Sequence, residues 1–564
     1  MSRLYPLLIA SILVSSGSAA PLDRLEQLSS QAGGVLKHIG KYFSGSLSKE
    51  DLNAELAERL QVKIEVPDVQ WKPAPGGIEL SSRRGSVPSA TILTSLETLK
   101  DHWGGRVLRT KFKIIETRKI GSSETDFSTR QLVAIFIQTP RGLREINTEW
   151  QATWSSTNDT VKLVSLTGTL AGESRLQATQ PLYQDLTNSL IRLTKSDTDL
   201  IKRGANHWLP RAERASKPEF FALSGVSVAD VNGDGREDFY LCQLGGLPNS
   251  LFIQQADGTF VNRAAEWGVD FHDNSTCALF VDFDNDGDQD MALASAAGLA
   301  ILENDQGKKF QLKKLHREIA YSYSLCAADY DRDGSVDIYA CRYYGSQTVK
   351  EGQHSVQGNI PVPHPVYDAR NGGQNSLVRN LGKLNFEDVT QSVGLNQENN
   401  RFTYAAMWED WDNDGDQDLY VANDFGGNNY YRNDDGKFSV QTSPSGLSSQ
   451  ELSMGVCAGD FNGDGWPDIH VCNMFSSAGS RVTRQQDFKK GASDGIVKQF
   501  QTLAKGNSLY TSKGKGVFSP AGDDAGITVG RWSWASLAPD INNDGWDDLL
   551  VANGFITGKQ PDDL

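Results

Sequence analysis

The sequence predicts a mainly β protein built of repeated four-stranded units and preceded by a smaller α+β domain. Three observations lead to this prediction. A nine-residue acidic motif recurs six times between residues 230 and 548. Short runs of β-forming residues flank every copy. The first 175 residues contain no copy and show helical periodicity followed by alternating apolar and polar residues.

The repeated motif reads Asp-x-Asp/Asn-x-Asp-Gly-x-x-Asp and spans residues 230–238, 282–290, 329–337, 410–418, 460–468 and 540–548. Its spacing suits a hard divalent cation such as Ca²⁺, which takes six to eight oxygen ligands. Positions 1, 3 and 5 place oxygen-bearing side chains at alternate residues of a tight loop. Position 7 can add a backbone carbonyl and position 9 a carboxylate. The glycine at position 6 permits the sharp turn by adopting a positive φ.

The sequence therefore predicts up to six Ca²⁺ sites, each formed by positions 1, 3, 5, 7 and 9 of one copy. The predicted metal residues are Asp230, Asn232, Asp234, Arg236 and Asp238; Asp282, Asp284, Asp286, Asp288 and Asp290; Asp329, Asp331, Asp333, Ser335 and Asp337; Asp410, Asp412, Asp414, Asp416 and Asp418; Asp460, Asn462, Asp464, Trp466 and Asp468; and Asp540, Asn542, Asp544, Trp546 and Asp548.

The motif is not an EF-hand, because an EF-hand needs a bidentate Glu at position 12 of its loop. Position 12 is apolar in every copy: Leu241, Leu293, Ala340, Val421, Val471 and Val551. These residues belong to short runs of β-forming residues. Each loop is therefore predicted to join the two strands of a hairpin.

A second, weaker repeat follows the hairpins. It begins at Asn249, Asn375, Asn429 and Asn507 and leads to an aromatic segment around Phe260, Phe386, Phe438 or Phe518. Four short strands per unit result. Radial repetition of such units, each about 40 to 50 residues long, is typical of a β-propeller blade. The prediction is thus a six- or seven-bladed calcium-binding β-propeller over residues 176–564.

The motifs resemble the FG-GAP (VCBS) repeats of integrin alpha chains and, more closely, bacterial relatives of cartilage acidic protein. Phe386–Thr390, Pro365–Gly373 and Asn473–Gly479 are similar to segments of that bacterial group. The resemblance covers roughly residues 180–564 and implies a calcium-binding propeller in a secreted or surface protein concerned with recognition. Those relatives often carry a further C-terminal module, whereas this sequence stops sixteen residues after Asp548.

Closing a ring of six or seven blades requires strands from elsewhere, since the sixth unit ends after its second strand. Tyr183–Thr187 matches Phe386–Thr390 in pattern. We expect residues near 180–186 to supply an outer strand that closes the ring. The alternative is a seventh blade without a cation loop between residues 176 and 225.

Six cysteines occur, at residues 242, 277, 326, 341, 457 and 472. Cys326 and Cys341 hold the same offsets around their loop as Cys457 and Cys472. Opposite residues of a hairpin approach the separation that a disulfide tolerates. Cross-strand bridges in these two pairs are one interpretation, and buried thiols are the other. Cys242 and Cys277 remain unassigned.

Residues 1–19 have the architecture of a secretory signal peptide: Arg3, an apolar run from Leu4 to Val14, and small residues before the expected cleavage after Ala19. The apolar run is short for a membrane span. We expect an exported chain, secreted, periplasmic or on the cell surface, with no integral membrane segment after cleavage.

Residues 20–175 are predicted to form the α+β domain. Leu22–Phe43, Asp51–Leu60 and Thr91–His102 show helical periodicity. Four alternating runs then predict an antiparallel meander: 109–115, 131–137, 145–154 and 161–166. The order resembles the cystatin-like cone of the SnoaL superfamily, whose concave sheet binds small ligands in some members. A plain packing module is the alternative.

The charge bears on function. The chain has 564 residues, 71 Asp and Glu against 55 Lys and Arg, and a net charge of −16. This balance argues against nucleic-acid binding. The acidic loops carry much of the charge, so it says little about a basic partner.

No catalytic motif is present, so no catalytic or cofactor-binding residue is predicted and the chain is expected not to be an enzyme. The predicted partner is a protein or glycan ligand. The first candidate contact region is the insertion Arg342–Gln374, with His354, His364, Tyr343, Tyr344, Tyr367, Asp368 and Arg370; the second is Ser476–Lys505. His470 is interpreted as a core residue. The alternative function is a secreted hydrolase or lyase on surface polysaccharide, with Asp368 in acid–base chemistry.

Overall fold

The computed structural model describes residues 24–67, 71–74, 78–81, 90–123, 125–158, 160–176, 185–203, 205–208, 225–344, 363, 368–447, 450–485, 488–541 and 543–554. These residues form two compact units. Unit 1 comprises residues 1–184 with 476–504, and unit 2 comprises 185–475 with 505–564. The predicted signal peptide lies outside the described residues. The domain boundary after residue 175 stays a prediction.

Unit 1 combines helices with one long antiparallel meander. Its elements are α1 (Arg24–Phe43), α2 (Lys49–Asn53), β1 (Leu56–Pro67), β2 (Trp71–Ala74), β3 (Ile78–Ser81), β4 (Ala90–Leu93), α3 (Leu96–His102), β5 (Arg106–Lys119), β6 (Asp126–Thr139), β7 (Gly142–Thr157) and β8 (Thr160–Leu176). The strand order along the sheet is β2-β3-β8-β7-β6-β5, and β1 pairs parallel with β8 and antiparallel with β4.

The core of unit 1 lies between α1 and the meander. Residues of α1 spaced three or four apart, such as Ala32, Leu36 and Ile39, are buried against the sheet, as the amphipathic pattern requires. The large buried rings Trp150 and Trp154 come from β7. The four predicted meander strands are confirmed and extend beyond their predicted ends.

Two predicted helices of unit 1 are partly wrong. The helix predicted over Asp51–Leu60 ends at Asn53, and a strand begins at Leu56. The apolar residues of this region fit both the helical and the strand spacing, and pairing with β8 favours the strand. The helix predicted from Thr91 begins only at Leu96, because Ser95 and Thr98 form a capping box there. The resemblance to a cystatin-like cone stays a prediction.

Unit 1 also contains a segment from late in the chain. The chain leaves unit 2 after Phe475 and returns at Lys505. Between them lie two helices, Ser477–Thr483 and Asp494–Leu503, within the second candidate contact region Ser476–Lys505. Arg481 holds this segment: its Nε donates to Glu26 Oε2 at 2.9 Å and its Nη1 to the carbonyl of Ile114 at 3.1 Å.

Unit 2 contains five four-stranded antiparallel sheets and one two-stranded sheet among its described residues. Sheet 1 has β9–β12 (Val226–Ala229, Asp238–Leu241, Ser250–Gln254, Phe260–Asn262), sheet 2 has β13–β16 (Ser275–Val281, Asp290–Ser295, Gly298–Asn304, Phe310–His316), sheet 3 has β17–β20 (Ser322–Ala328, Asp337–Arg342, Ser376–Asn380, Phe386–Asp388), sheet 4 has β21–β24 (Phe402–Glu409, Asp418–Phe425, Asn429–Asp434, Lys437–Val440), sheet 5 has β25–β28 (Ser453–Gly459, Asp468–Asn473, Ser508–Ser512, Phe518–Pro520) and sheet 6 has β29 and β30 (Ser533–Leu537, Leu550–Asn553).

Short helices connect or precede these sheets: Thr187–Leu190, Lys195–Lys202, Ala205–Trp208, Ala264–Trp267, Gly522–Ala525 and the 3-10 turn Arg317–Ile319. In every four-stranded sheet, consecutive strands are neighbours. The first strand of each sheet packs against the first strand of the next, from β9 through β29. Apolar clusters fill the spaces between successive sheets. The six predicted hairpins and the four strands per unit are thus observed, the latter in the first five units.

Buried asparagines connect neighbouring sheets. Asn304, at the end of the third strand of sheet 2, donates from Nδ2 to the carbonyl of Val231 in the preceding hairpin at 2.9 Å. Asn380 of sheet 3 donates likewise to Phe283 at 2.7 Å. Asn433 of sheet 4 donates to a carbonyl of the third hairpin at 2.9 Å. The third strands of sheets 2, 3 and 4 therefore each fix the hairpin loop of the sheet before them.

The proposed closing strand lies mostly outside the described residues, which resume at Asp185. The chain just after it contacts sheet 1: Ile191 pairs in parallel with Phe260. Asn262 donates to Asp197 at 2.8 Å. Within the described residues, therefore, this region lies against the outer strand of the first sheet. Closure by residues 180–186 stays a prediction, as does the hidden seventh blade.

All six cysteines are free thiols. In the third sheet Cys341 lies opposite Ser324, so Cys326 is its diagonal neighbour. Cys457 and Cys472 have the same offset in the fifth sheet. Diagonal residues are farther apart than directly opposite ones, and disulfide geometry is correspondingly harder to reach. The two predicted cross-strand bridges are therefore wrong, and the thiol alternative holds.

Candidate metal centres

The six acidic motifs form loops 1 to 6, numbered with their sheets, and each joins the first two strands of its sheet. The glycine at position 6 has a φ between 81° and 98° in every loop. A positive φ is unfavourable for residues with a Cβ, which explains why glycine occupies this position. The positive φ predicted for position 6 is therefore confirmed in all six loops.

The aspartate at position 1 closes the turn in all six loops. In loop 2, Asp282 accepts from the backbone N–H of Asp286 at 3.1 Å and of Gly287 at 2.9 Å. The same two contacts recur at the position-1 aspartates of the other five loops. The aspartate at position 5 accepts in turn from the N–H of position 7. Backbone donors thus hold two carboxylates of each loop on its inner side.

Three loops bring three carboxylates together. Their oxygens lie within 4.8 Å of one another in the sets Asp282, Asp284 and Asp290; Asp329, Asp331 and Asp333; and Asp410, Asp412 and Asp414. These groups could hold a metal ion. Loops 1, 5 and 6 have Asn232, Asn462 and Asn542 at position 3, so they offer an amide oxygen in place of the third carboxylate. Asn542 lies outside the described residues.

The donor set suits a hard cation. Oδ1 of Asp284, Asp288 and Asp331 is buried and has no hydrogen-bond donor among the described residues. Burial raises the pKa of Asp284 and of Asp331, and the neighbouring carboxylates add to the effect. A cation would supply the missing partner for these oxygens and relieve their repulsion. The residues present therefore fit Ca²⁺.

The aspartate at position 9 is buried in loops 1 to 5, and in loops 2 and 3 both of its oxygens accept hydrogen bonds. Asp290 accepts from Phe283 N–H at 3.1 Å and from Asn304 N–H on the third strand at 2.9 Å. Asp337 has the equivalent two contacts. Burial raises the pKa to about 7 in Asp290, Asp337 and Asp418, and to about 6 in Asp238 and Asp468. This carboxylate joins the loop to the third strand, a role that the spacing alone does not reveal.

Position 7 varies in chemistry and surroundings. Asp288 accepts from Gln306 N–H at 3.1 Å, and Asp416 accepts from Asp435 N–H at 2.7 Å. Arg236 ion-pairs with Asp234 of its own loop. Trp546 is 56% exposed. The predicted role of this position, a backbone carbonyl ligand, stays a prediction.

Two features of the loops were missed by the sequence interpretation. Position 4 has a positive φ in every loop, at Gly233, Asn285, Arg332, Asn413, Gly463 and Asn543. Gly or Asn at five of these six positions was the available signal, because these residues tolerate that conformation best. Arg332 is the exception.

The second missed feature is a pair of arginines beside loops 3 and 4. Arg379, on the third strand of sheet 3, places Nε 2.8 Å from Asp331 Oδ2 and Nη2 2.9 Å from Asp333 Oδ2. Arg332 of loop 3 reaches Asp416 of loop 4 at 2.9 Å and Asp435 at 2.8 Å. No sequence motif predicts such contacts, because they join residues that are distant in sequence.

Within the insertion Arg342–Gln374 the structure describes residues 342–344, 363 and 368–374, so His354, His364 and Tyr367 lie outside the described residues. Asp368 is paired with Arg401 Nη1 at 2.5 Å and with Arg370 Nε at 3.4 Å. Because two guanidinium groups hold this carboxylate, the structure offers no support for Asp368 in acid–base chemistry.

Next to this insertion lies a cluster of aromatic side chains. The ring of Tyr343 packs against Tyr344, Phe402 and Tyr404, with centroids 4.8 to 5.2 Å apart. The hydroxyl of Tyr343 donates to Asp424 Oδ2 at 2.6 Å. Burial raises the pKa of Asp424 to about 7. The sequence interpretation named Tyr343 and Tyr344 but missed Asp424.

His470 is fully buried on the second strand of sheet 5, and its Nδ1 lies 3.0 Å from Ser536 Oγ. Burial lowers its pKa to about 4. This confirms its interpretation as a core residue. No helix in the described part of the chain is long and apolar enough to cross a membrane.

A family model described as FG-GAP-like repeat matches residues 230–293, 282–340 and 410–471. These matches cover loops 1, 2, 3, 4 and 5. The chain therefore contains FG-GAP-like repeats, as the resemblance implies.

Among curated proteins, mouse cartilage acidic protein 1 is 28% identical over 165 residues. The match covers 27% of this chain and 24% of that protein, so the chain spans about a quarter of the relative it matches.

Among solved structures, the chain has distant likenesses. A lectin of Agrocybe aegerita, described as recognising non-reducing terminal N-acetylglucosamine, is 14% identical with a TM-score of 0.34, covering 59% of this chain and 75% of the lectin. The Vibrio cholerae biofilm matrix protein Bap1 is 15% identical with a TM-score of 0.26, covering 45% of this chain and 35% of Bap1. Likenesses at this level carry no argument about function.

Proposed function

We propose that this chain is an exported calcium-binding β-propeller that works as a recognition or adhesion module for a protein or glycan ligand. The observation that carries the proposal is the repetition of one acidic loop on successive sheets of one unit, with three carboxylates gathered in loops 2, 3 and 4. Repeated sheets of this kind suit a propeller, whose blades are four-stranded meanders. In this proposal each of the six loop-bearing sheets forms one blade, and a seventh blade without a cation loop is the alternative.

Ca²⁺ is proposed as the ion of the loops, up to six per chain. Oxygen-only donors and three clustered carboxylates favour a hard cation over the softer metals that thiolates or imidazoles select. Backbone donors already hold positions 1 and 5 in place. The bound ion would therefore act on stability by neutralising carboxylates that otherwise repel each other across a tight loop.

Ligand recognition is proposed for the sheet ends opposite the cation loops. The loops join first to second strands, whereas both long insertions join second to third strands. In an antiparallel meander these two kinds of connection lie at opposite ends of the sheet. The partly exposed Asp424 and the aromatic cluster around Tyr343 lie at the insertion end, and aromatic faces with a carboxylate suit sugars as well as peptide side chains.

A catalytic alternative has no specific observation in its favour. The carboxylate first considered for it, Asp368, is held by Arg370 and Arg401. We therefore propose binding without turnover, and export through the predicted signal peptide.

Thermal unfolding tests the metal assignment. The full chain is heated with Ca²⁺, with Mg²⁺ at the same concentration, and with chelator. The concentration is set at about 10⁻³ M, because extracellular calcium modules often bind at about 10⁻⁴ to 10⁻³ M. We expect a higher melting temperature with Ca²⁺ than with Mg²⁺ or chelator. An unchanged melting temperature would contradict Ca²⁺ binding by the loops. Glycan-array binding without product release from the same glycans then tests recognition against catalysis.

A further inference from the structure

Four asparagines in the chain are followed directly by glycine, in the pairs Asn232–Gly233, Asn371–Gly372, Asn462–Gly463 and Asn553–Gly554. Such a pair is chemically labile, because the backbone nitrogen of the glycine can attack the asparagine side-chain amide and no Cβ shields that nitrogen. Two of the pairs lie at positions 3 and 4 of cation loops, in loops 1 and 5. The contacts around each pair determine which one can react.

The attacking nitrogen is hydrogen-bonded in the two pairs outside the loops. Gly372 N–H donates to the carbonyl of Asn400 at 3.0 Å, and Gly554 N–H donates to the carbonyl of Trp532 at 3.2 Å. In loops 1 and 5 the corresponding N–H donates to no acceptor within the part of the chain that the structure describes. A bonded N–H must first leave its acceptor, so the two loop pairs are the more reactive ones.

The glycine of loop 1 is open, whereas the glycine of loop 5 is covered. A Cβ added to Gly233 would meet no atom within 4 Å. A Cβ added to Gly463 would overlap the indole ring of Trp546, so a side chain of loop 6 fills the space over this glycine. Attack brings the asparagine side chain and the next peptide together, and the indole ring leaves loop 5 little room for that movement.

The side-chain amide of Asn232 is also held in a reactive arrangement. Its Oδ1 accepts from the N–H of Asp234 at 3.1 Å, and its Nδ2 donates to Asp234 Oδ2 at 2.9 Å. Negative charge develops on Oδ1 when a nucleophile adds to Cγ, and a backbone donor already directed at that oxygen stabilises the charge. In loop 5 the equivalent N–H, of Asp464, donates among the described residues to Asp460 and not to Asn462.

We propose that Asn232 of loop 1 is a site of spontaneous deamidation in the folded, metal-free chain. The backbone nitrogen of Gly233 bonds to Cγ of Asn232, the Cγ–Nδ2 bond breaks, and ammonia leaves with the proton that the backbone nitrogen loses. Water then opens the resulting succinimide ring at either of its carbonyl carbons and leaves aspartate or isoaspartate at residue 232. Water is the only co-reactant, and nothing is oxidised or reduced.

Each product changes the oxygen donors of loop 1. Aspartate supplies at position 3 the carboxylate that loops 2, 3 and 4 already have there, and the number of charged ligands is one determinant of Ca²⁺ affinity. Isoaspartate lengthens the backbone between positions 3 and 4 by one carbon and disturbs the turn. We expect tighter Ca²⁺ binding with aspartate and weaker binding with isoaspartate. The covalent step stands apart from the proposed function, whereas this consequence rests on it.

Peptide mapping by mass spectrometry tests the site on the full chain. The chain is incubated with chelator at mildly alkaline pH, either folded or in concentrated urea, and the four Asn-Gly peptides are followed over time. In the folded chain we expect deamidation at Asn232 to be about tenfold faster or more than at Asn371, Asn462 or Asn553, because an oxyanion donor and an open glycine act together. In urea the four rates should be similar, since unfolding removes the contacts that distinguish them.

Two variants test the role of the glycine and of the indole ring. Gly233→Asn should slow deamidation at Asn232 about tenfold or more, because a side chain then shields the attacking nitrogen. Asparagine suits this position, since Asn285 at position 4 of loop 2 has a φ of 62°. Trp546→Ala should speed the reaction at Asn462 by uncovering the glycine of loop 5, and the unchanged rate at Asn232 is its internal control.

Three results would overturn the proposal: equal rates at Asn232 and Asn462 in the folded chain, a faster reaction at Asn462, or an intact Asn232 in the folded chain under conditions in which the unfolded chain reacts. Added Ca²⁺ is expected to slow the reaction at Asn232, because this residue is a predicted ligand. Deamidation at Asn232 that Ca²⁺ does not slow would contradict Ca²⁺ binding by loop 1, while the assignment of the reactive site would stand.

The variant Asn232→Asp measures the consequence for the loop. Its melting temperature should rise more on addition of Ca²⁺ than that of the parent chain, because tighter binding to the folded state adds stability. Asn232→Gln is the matched control: it keeps the amide, forms no succinimide and should gain no extra stabilisation from Ca²⁺. An equal response of Asn232→Asp and the parent chain would refute the gain in affinity.

Discussion

Loops 2 and 3 share one nine-residue pattern but differ in their neighbours. Loop 2 has five aspartates and, among the described residues, no ion pair with an arginine or lysine. Loop 3 has four aspartates, two of which are paired with Arg379. The motif thus determines where the carboxylates lie, whereas a neighbouring strand determines how much of their charge is left for a cation. We expect loop 2 to bind Ca²⁺ more tightly than loop 3.

The largest effect is expected from the position-1 aspartates. Asp282→Ala and Asp329→Ala remove acceptors with nearly identical backbone contacts, so with chelator both should lose a similar free energy of unfolding, about 1–3 kcal/mol. With Ca²⁺ present, Asp282→Ala should lose more, because it also loses the tighter ion. Chemical denaturation in both conditions measures this. Equal calcium-dependent losses would contradict the ranking of the loops.

The metal-free protein should become less stable as the pH rises from about 4 to about 7. Asp290 and Asp337, one from each loop, have folded pKa values of about 7 because of burial, well above the usual range. The folded state therefore holds these protons after the unfolded state has released them, and stability falls with pH between the two pKa values, then levels off. Melting curves with chelator should show this slope. Added Ca²⁺ should flatten this slope. A slope that Ca²⁺ leaves unchanged would show that these carboxylates do not interact with the ion.

Removing the arginine should make the two loops more alike. Arg379→Ala is expected to raise the Ca²⁺ affinity of loop 3 by about three- to tenfold, since one positive charge leaves the carboxylates. Arg379→Lys should change it less. Arg263→Ala, which breaks an exposed pair with Glu266, is the control and should not alter Ca²⁺ binding. Isothermal titration calorimetry compares the three variants. A lower Ca²⁺ affinity of loop 3 in Arg379→Ala would contradict competition between Arg379 and Ca²⁺ for the carboxylates of this loop.

The smallest effect is expected at position 4. Arg332 has a φ of 57°, which glycine adopts without strain, so Arg332→Gly should gain up to about 1 kcal/mol there. It also loses ion pairs to Asp416 and Asp435, each worth about 0–1 kcal/mol. We expect a net change within about 1 kcal/mol by denaturation. Asn285→Gly in loop 2 is the comparison, and a loss above about 2 kcal/mol for Arg332→Gly alone would show that the pair with the buried Asp416 stabilises more than an exposed ion pair does.

The local chemistry of unit 2 could be predicted from its sequence because it repeats. Six copies of one pattern revealed the hairpins, the glycine turn and the cation loops, where a single copy could not have done so. The asparagine repeat was found with an error of one residue in sheet 4. There Asn428, not Asn429, accepts from the backbone N–H of Asn423.

What the sequence did not reveal depends on contacts between distant residues. Burial of the position-9 aspartate against the third strand, and Arg379 beside loop 3, arise only when the strands are assembled. In unit 1, the apolar residues around Leu56–Pro67 fit both the helical and the strand spacing, and pairing with β8 favours the strand. The two cysteine pairs failed for a geometric reason, since each cysteine lies two residues away from the position directly opposite its intended partner.

The asparagine links between sheets have a consequence for the way the molecule comes apart. Each of Asn304, Asn380 and Asn433 holds the loop of the preceding sheet, so a sheet is secured by its successor. In this series sheets 1, 2 and 3 are each held by the sheet that follows, whereas sheets 4, 5 and 6 have no such asparagine contact among the described residues. Unravelling should start at the sixth sheet and proceed toward the first, and limited proteolysis during chelation should shorten the chain from that end.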